Sequence, residues 1–177
     1  MKEVIKPYLE SGRAGDWEHA VRVVKWVKEI GQNRADIYLL ITAAYIHDIG
    51  WFGVAPKGKI NLDEMKRLEP RANENSAKLI PSLLKEIGFD NFEISTIVRL
   101  VAAADKHFSV EGDEAIIVDA DNLSKLCIEH LEQKYQRESF PEVIKLWEVE
   151  FPNRIKTKKG LDLFPKLLSD LKSKVLG

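Results

Sequence analysis

Four residues with metal-ligating side chains stand where a folded chain rarely leaves charge. His47 and Asp48 close the apolar run 41–46, which otherwise reads as buried helix. Charge placed against a core needs compensation, and a bound cation is an efficient compensator. Neutral imidazole and carboxylate are both good ligands for a first-row divalent ion. His19 shares one helical stripe with Val23, Trp26 and Ile30, so it is expected to face inwards. Asp121 falls on a second stripe, with Ile117, Ser124, Ile128 and Leu131, and no basic residue is apparent beside it there. A buried carboxylate must be paired or bound to metal. Asp119 competes for this role, but it shares its face with Ala115, Asn122 and Leu126. One helix start, one helix end and one long helix can therefore deliver two imidazoles and two carboxylates to a single place.

The elements that must position these groups read as helices throughout. Asp16 is expected to cap a helix over 16–30 that stops at Gly31. A second helix is expected over 34–48, closed by Gly50. Residues 51–70 carry Gly53, Pro56 and Gly58 with Lys57, Lys59, Lys66 and Arg67, which predicts a long loop that is functional or partly mobile. Further helices are expected over 73–87, bent at Pro81, and from Asp90 and Glu93 onwards. After a loop at 109–113 the pattern predicts one long helix over 114–137, then amphipathic stretches at 140–151 and 160–175. No strand-like alternation and no internal repeat is present. The reading is all-α: one helical bundle over 1–177, with the motifs at about 13–130 and C-terminal helices at about 139–176.

Composition narrows the partners. A chain of 177 residues, 45% hydrophobic and 31% charged, has the balance of a soluble protein with a sizeable core. A formal net charge of −1 gives no global attraction to nucleic acid or to an anionic membrane. Local lysines such as Lys156, Lys158 and Lys159 lack the interleaved aromatics of a nucleic-acid surface. No apolar stretch approaches the roughly 20 residues that span a bilayer, and the N-terminus lacks the apolar centre of a signal peptide. One cysteine, Cys127, excludes an internal disulfide and a multi-cysteine zinc site. A cytoplasmic location is expected.

The segments Gly15-Asp16-Trp17-Glu18-His19-Ala20-Val21-Arg22-Val23, Ala44-Tyr45-Ile46-His47-Asp48-Ile49-Gly50 and Val118-Asp119-Ala120-Asp121-Asn122-Leu123 resemble the ordered motifs of the HD-domain metal-dependent phosphohydrolases. The resemblance extends over about residues 13–130. It implies metal binding by His19, His47, Asp48 and Asp121. The aspartate after alanine in the family's "ADxL" pattern selects Asp121 over Asp119. Two accessory histidines of two-metal relatives are absent, their places reading Asn73 and Ala104. The resemblance therefore implies one divalent ion, with manganese, iron, cobalt, nickel, zinc and magnesium all open; His107 is the one residue near enough in sequence to recruit a second.

The chemistry implied is hydrolysis of a phosphoester in a small molecule, a nucleotide or related phosphomonoester, by a metal-activated water. Asp48 is the expected ligand and orienting partner for that water. Arg22, one turn beyond His19 and matching the family's "HxxRV", is expected to act in catalysis and to hold phosphate. Lys57, with Lys59, and Arg71 are further candidates for substrate binding. The alternative is a sensor or scaffold that binds metal or nucleotide without catalysis.

Overall fold

The computed structural model describes residues 1–110 and 112–176; Glu111, inside the expected loop at 109–113, and Gly177 lie outside the described residues. Nine α-helices make up the described chain: α1 Lys2–Glu10, α2 Asp16–Ile30, α3 Ile37–Ile46, α4 Leu62–Ile87, α5 Asn91–Lys106, α6 Gly112–Lys125, α7 Ile128–Lys134, α8 Phe140–Arg154 and α9 Lys158–Leu176. Single 3-10 turns follow α3 at Ile49–Trp51 and α7 at Arg137–Ser139. No strand is present among the described residues beyond one isolated bridge between Ile60 and Tyr135. The all-α expectation holds.

α6 is the axis of the molecule. Every residue from Ile116 to Ser124 is buried, so the helix is enclosed on all faces rather than amphipathic. α2, α3 and α5 pack on one side of it, and α8 and α9 on the other. α3 is nearly as enclosed, with seven of its ten residues buried, Leu39 to Ile46 without Ile41. The core has two lobes. One gathers Val23, Val27, Leu40, Ile46, Leu84, Ile97, Leu100 and Ile117. The other gathers Leu123, Leu131, Val143, Trp147, Phe151 and Leu171. Trp26 and Ile30 of α2 pack against both.

Several boundaries differ from expectation for identifiable reasons. α1 is an additional helix, anchored by the buried Ile5 and Leu9. α3 ends at Ile46, so His47 is its C-cap and Asp48 already stands outside the helix. The expected loop over 51–70 shrinks to 52–61. Asn61 accepts a 2.8 Å hydrogen bond from the Glu64 amide, and Asp63 and Glu64 complement the helix dipole, so α4 starts eleven residues early and runs through Pro70 and Pro81. The remaining loop is tied down where the Ile60 amide donates to the Lys134 carbonyl at 3.1 Å. The expected helix over 114–137 is broken at Leu126 and Cys127. The Ser124 hydroxyl donates to the Asp121 carbonyl at 2.8 Å, Cys127 is fully extended (φ −146°, ψ 153°), and α7 sets out in a new direction. By contrast α2 matches its expected bounds, though its N-cap is Gly15 at φ 74° rather than Asp16. Asp90 and Glu93 form a complete capping box on α5.

Gly50 is fixed by close approach. A Cβ there would lie 2.0 Å from the Ala72 carbonyl and 2.2 Å from Ser76 Oγ of α4. The Asn75 amide donates to the carbonyls of Gly50 and Phe52 at 2.9 Å each, pinning the turn to α4. Gly50→Ala must lift that turn off a helix backbone. The expected cost is about 1–3 kcal/mol, the usual range for overpacking, together with weakened metal affinity because His47 and Asp48 ride on the same turn. Urea melts and metal titration of one preparation check it; an unchanged midpoint refutes the contact.

Candidate metal centre

α2, the end of α3 and the middle of α6 bring His19, His47 and Asp121 together; all three are buried, and their ligand atoms lie within 4.8 Å of one another. His19 Nε2 is 3.2 Å from His47 Nε2 and 3.1 Å from Asp121 Oδ1, and His47 Nε2 is 3.7 Å from that oxygen. Asp48 Oδ2 lies beside the two imidazoles, 3.7 Å from His19 Nε2 and 3.6 Å from His47 Nε2. The structure thus brings His19, His47 and Asp121 into one group and sets Asp48 beside the two histidines.

The proton inventory decides what this cluster is for. His47 Nδ1 is 2.9 Å from the Ala44 carbonyl, which only accepts, so Nδ1 carries a proton and Nε2 is the nitrogen that faces the cluster. His19 Nδ1 is 3.1 Å from Ser124 Oγ, whose own proton is donated to the Asp121 carbonyl. Ser124 must therefore accept from His19 Nδ1–H, and His19 Nε2 carries a lone pair. Burial, opposed by the nearby Asp121 and Asp48 carboxylates, lowers the His19 pKa to about 4, so the ring is neutral. Asp48 Oδ2 is buried without a well-formed hydrogen bond, despite an Arg13 Nη2 at 2.7 Å. The ligand atoms of His19, His47 and Asp121 converge, with Asp48 Oδ2 beside both imidazoles. A first-row ion with bonds of about 2.0–2.2 Å sets neighbouring ligand atoms roughly 3.0–3.5 Å apart, close to the 3.1–3.7 Å separations observed here. The donor set, two imidazoles and two carboxylates without thiolate, fits a divalent ion. The residues holding both Nδ1 atoms supply the tautomer control that metal-binding histidines require.

The cluster lies in a cavity of about 210 Å³ whose wall includes Arg13, Lys66, Lys125, Lys134 and Arg154. Arg13, in the turn before α2, bridges Asp16 and Asp48 and stacks on the Trp51 ring 4.0 Å away. Burial raises Asp48, but the Arg13 guanidinium beside it outweighs this and holds the group at about 2. Lys125 Nζ is 2.6 Å from Asp121 Oδ2. Burial likewise raises Asp121, and the Lys125 ammonium brings it well below the usual carboxylate range. The reading that Asp121 has no basic neighbour is thereby corrected: Lys125 is one turn on, at i+4. Lys134 is buried against Asp16, and burial with Arg13 depresses its pKa well below that of a free lysine. In the same wall Asp105 makes no hydrogen bond or ion pair among the described residues; burial, then the charges of Asp48, Asp121 and Glu69, raise its pKa to about 8.

Other expected site residues lie elsewhere. Arg22 donates from Nη1 to Gln133 Oε1 at 2.9 Å and lies 3.3 Å, through Nη2, from His130 Nδ1. It turns towards α7 and is absent from the cavity wall, so direct contact with phosphate is not its place. Lys57 is exposed outside the cavity, as is Lys59, because the shortened loop is held towards α7. Arg71 lines a separate surface groove with Phe52 and Glu74. Asp119 accepts from the Lys156 and Thr157 amides at 3.0 and 2.7 Å, which explains its burial without any ligand role. Asn73, Ala104 and His107 do stand in the cavity wall; His107 Nε2 is 3.8 Å from Glu69 Oε1, and no second metal-type cluster assembles among the described residues. Sequence reasoning missed Arg13, Asp16 as a charge partner, Lys125, His130 and Lys134. Only Lys125 carried a readable signal, its spacing from Asp121.

The His19 shift has a pH consequence in the metal-free protein. Unfolded chain takes up a proton on this histidine as pH falls through 6.5, whereas folded chain refuses it until about 4. Stability should therefore fall between pH 6.5 and 4, by about 3 kcal/mol from this residue at 1.36 kcal/mol per unit. His130, lowered well below 6.5 by burial and then by His19 and Arg22, acts in the same direction. Denaturant melts of chelated protein across that range test it; a flat profile contradicts the neutral assignment.

The family described as HD-CE matches residues 10–139, most of the chain, and the chain belongs to that HD-domain family. No curated protein and no solved structure gives a significant match. No helix among the described residues is long and apolar enough to cross a membrane.

Proposed function

From its place in the HD-CE family, we propose that this protein is a metal-dependent phosphohydrolase acting on a small phosphorylated molecule, a nucleotide or related phosphomonoester. One observation carries the reading: the ligand atoms of His19, His47 and Asp121 converge, with Asp48 Oδ2 beside both imidazoles, in a cavity whose wall also carries Arg13, Lys66, Lys125, Lys134 and Arg154. A divalent ion held by His19, His47, Asp48 and Asp121 would supply an acidified water and a Lewis acid for a phosphoryl oxygen. Asp48 is too weak a base, at about 2, to take a proton outright, so its part is to orient. Arg13, Lys125 and Lys134 reduce the cost of bringing phosphate charge against two carboxylates. Trp51, Ile60, Met65, Leu146 and Trp147 give the same cavity an apolar side, suited to a small ester and not to a polymer backbone. Near-neutral charge agrees with small ligands rather than nucleic acid.

One observation favours the second reading, a phosphorylated-ligand sensor. The buried cations are already engaged, Arg13 with Asp16 and Asp48, Lys125 with Asp121, and Lys134 with Asp16. Incubation with phosphomonoesters, nucleotides and cyclic nucleotides under manganese, cobalt, nickel, zinc and magnesium separates the two. Phosphate release that Asp48→Asn abolishes supports catalysis. Tight binding with no release under any metal supports the sensor and overturns the enzyme.

A further inference from the structure

His130 is the cavity residue whose surroundings specify most about a ligand. It is 97% buried, at 3% exposure, and its ring is clamped on three sides. His19 lies at 4.8 Å between centroids, Trp147 at 5.8 Å and Tyr135 at 6.3 Å, all at steep angles. Its Nδ1 edge meets Arg22 Nη2 at 3.3 Å. A guanidinium only donates, so Nδ1 accepts and the ring proton is on Nε2. Among the described residues that N–H has no hydrogen-bond partner, yet the ring borders the cavity that holds His19, His47, Asp48 and Asp121. A donor on the cavity wall without a protein acceptor is placed to meet an acceptor brought by the ligand.

We propose that His130 is a fixed, neutral hydrogen-bond donor to an oxyanion of the substrate's phosphoryl group, and that Arg22 is a positioning residue that locks the tautomer. Gln133 completes the device by holding the other arm of the Arg22 guanidinium. The inference rests on the phosphohydrolase reading of the cavity and adds to it which group reads the phosphate. It also gives Arg22 a place: it acts on phosphate through His130, one residue removed. A neutral donor suits this position because Arg22 already donates to the Nδ1 edge, which leaves no place for a second ring proton.

Binding of inorganic phosphate to the zinc-loaded protein, followed by calorimetry and by imidazole 15N spectra, tests this without turnover. The wild-type spectrum should show His130 protonated at Nε2, with that nitrogen shifting on phosphate addition. His130→Phe should keep metal content and weaken phosphate binding about ten- to a hundredfold, the loss expected for one hydrogen bond to a charged group. His130→Gln, which returns an N–H near the same place, should recover part of it. Arg22→Leu should mix the two tautomers and weaken phosphate binding, Arg22→Lys should restore it, and neither should matter further in the His130→Phe background. A wild-type Nδ1–H tautomer overturns the proposal, and that measurement needs no variant to fold. So does a stable, metal-loaded His130→Phe protein with unchanged phosphate affinity. The two readings fail separately. His130-dependent phosphate binding without turnover of any ester removes the phosphohydrolase and keeps this donor; ester turnover unaffected by His130→Phe does the reverse.

Discussion

Asp121→Asn is expected to abolish divalent-ion binding and reduce any hydrolysis by roughly a thousandfold or more, while Asp119→Asn, two residues away, leaves both intact. Asparagine preserves the shape of Asp121 but removes the charge that sits 3.1 Å from His19 Nε2 and 2.6 Å from Lys125 Nζ. Metal catalysis is worth several kcal/mol, which at 1.36 kcal/mol per decade gives that loss. Asp119 does different work. Both its oxygens accept backbone amides from the connection between α8 and α9, and it is not in the group formed by His19, His47 and Asp121. Converting one accepting oxygen to a donor there should cost about 1–3 kcal/mol, a fall of a few to about ten degrees in Tm for a domain of this size. Metal content, kcat/KM and Tm on the same three proteins decide the matter. If Asp119→Asn loses metal while Asp121→Asn keeps it, the site is wrongly drawn.

The same pair shows what the sequence could and could not disclose. Both aspartates are buried on a helix enclosed on every face, so burial alone did not distinguish them; helical periodicity did, because the stripe of Asp121 also carries Ser124, the residue that fixes the His19 tautomer. The ligands were legible because His47 and Asp48 end an apolar run and His19 and Asp121 fall on apolar helical stripes. Their electrostatic support was not. Arg13, Asp16 and Lys134 meet across an interval of 118 residues between Asp16 and Lys134, and no local pattern encodes that contact. The break between α6 and α7 was equally hidden. Its sequence, Ser124-Lys125-Leu126-Cys127, holds no proline or glycine, and the helix ends there because a serine hydroxyl competes for a backbone carbonyl. That break is what turns His130 and Lys134 into the cavity wall. Arg22 was placed correctly on its helix and assigned the wrong neighbour: sharing roughly one face with His19 is no guarantee that a long side chain follows it into the cavity, when Gln133 and His130 lie closer at hand.

Asp16→Ala is expected to cost about 3–5 kcal/mol, the range for breaking a buried ion pair from one side, or roughly 6–20 °C in Tm. Asp16 has no exposed side-chain surface, and it serves two cations at once. Its Oδ2 accepts the Arg13 amide at 2.8 Å and its Oδ1 pairs with the Arg13 side chain and with Lys134. Removing it leaves Lys134 enclosed with Asp48 Oδ2 at 3.7 Å as its remaining anion. The loss should extend to the metal centre, because Arg13 loses the anchor that aims it at Asp48. Lys134 would then be drawn towards Asp48, competing with a bound cation for the same oxygen. Metal affinity should fall with stability, although no ligand has changed. The double variant Asp16→Ala, Lys134→Met separates the causes. Replacing both members of a buried pair with apolar groups is often neutral or better, so stability should return while Arg13 stays unanchored and metal affinity stays reduced. A double variant no more stable than Asp16→Ala alone would show that the cost lies in the Arg13 turn and not in the stranded lysine.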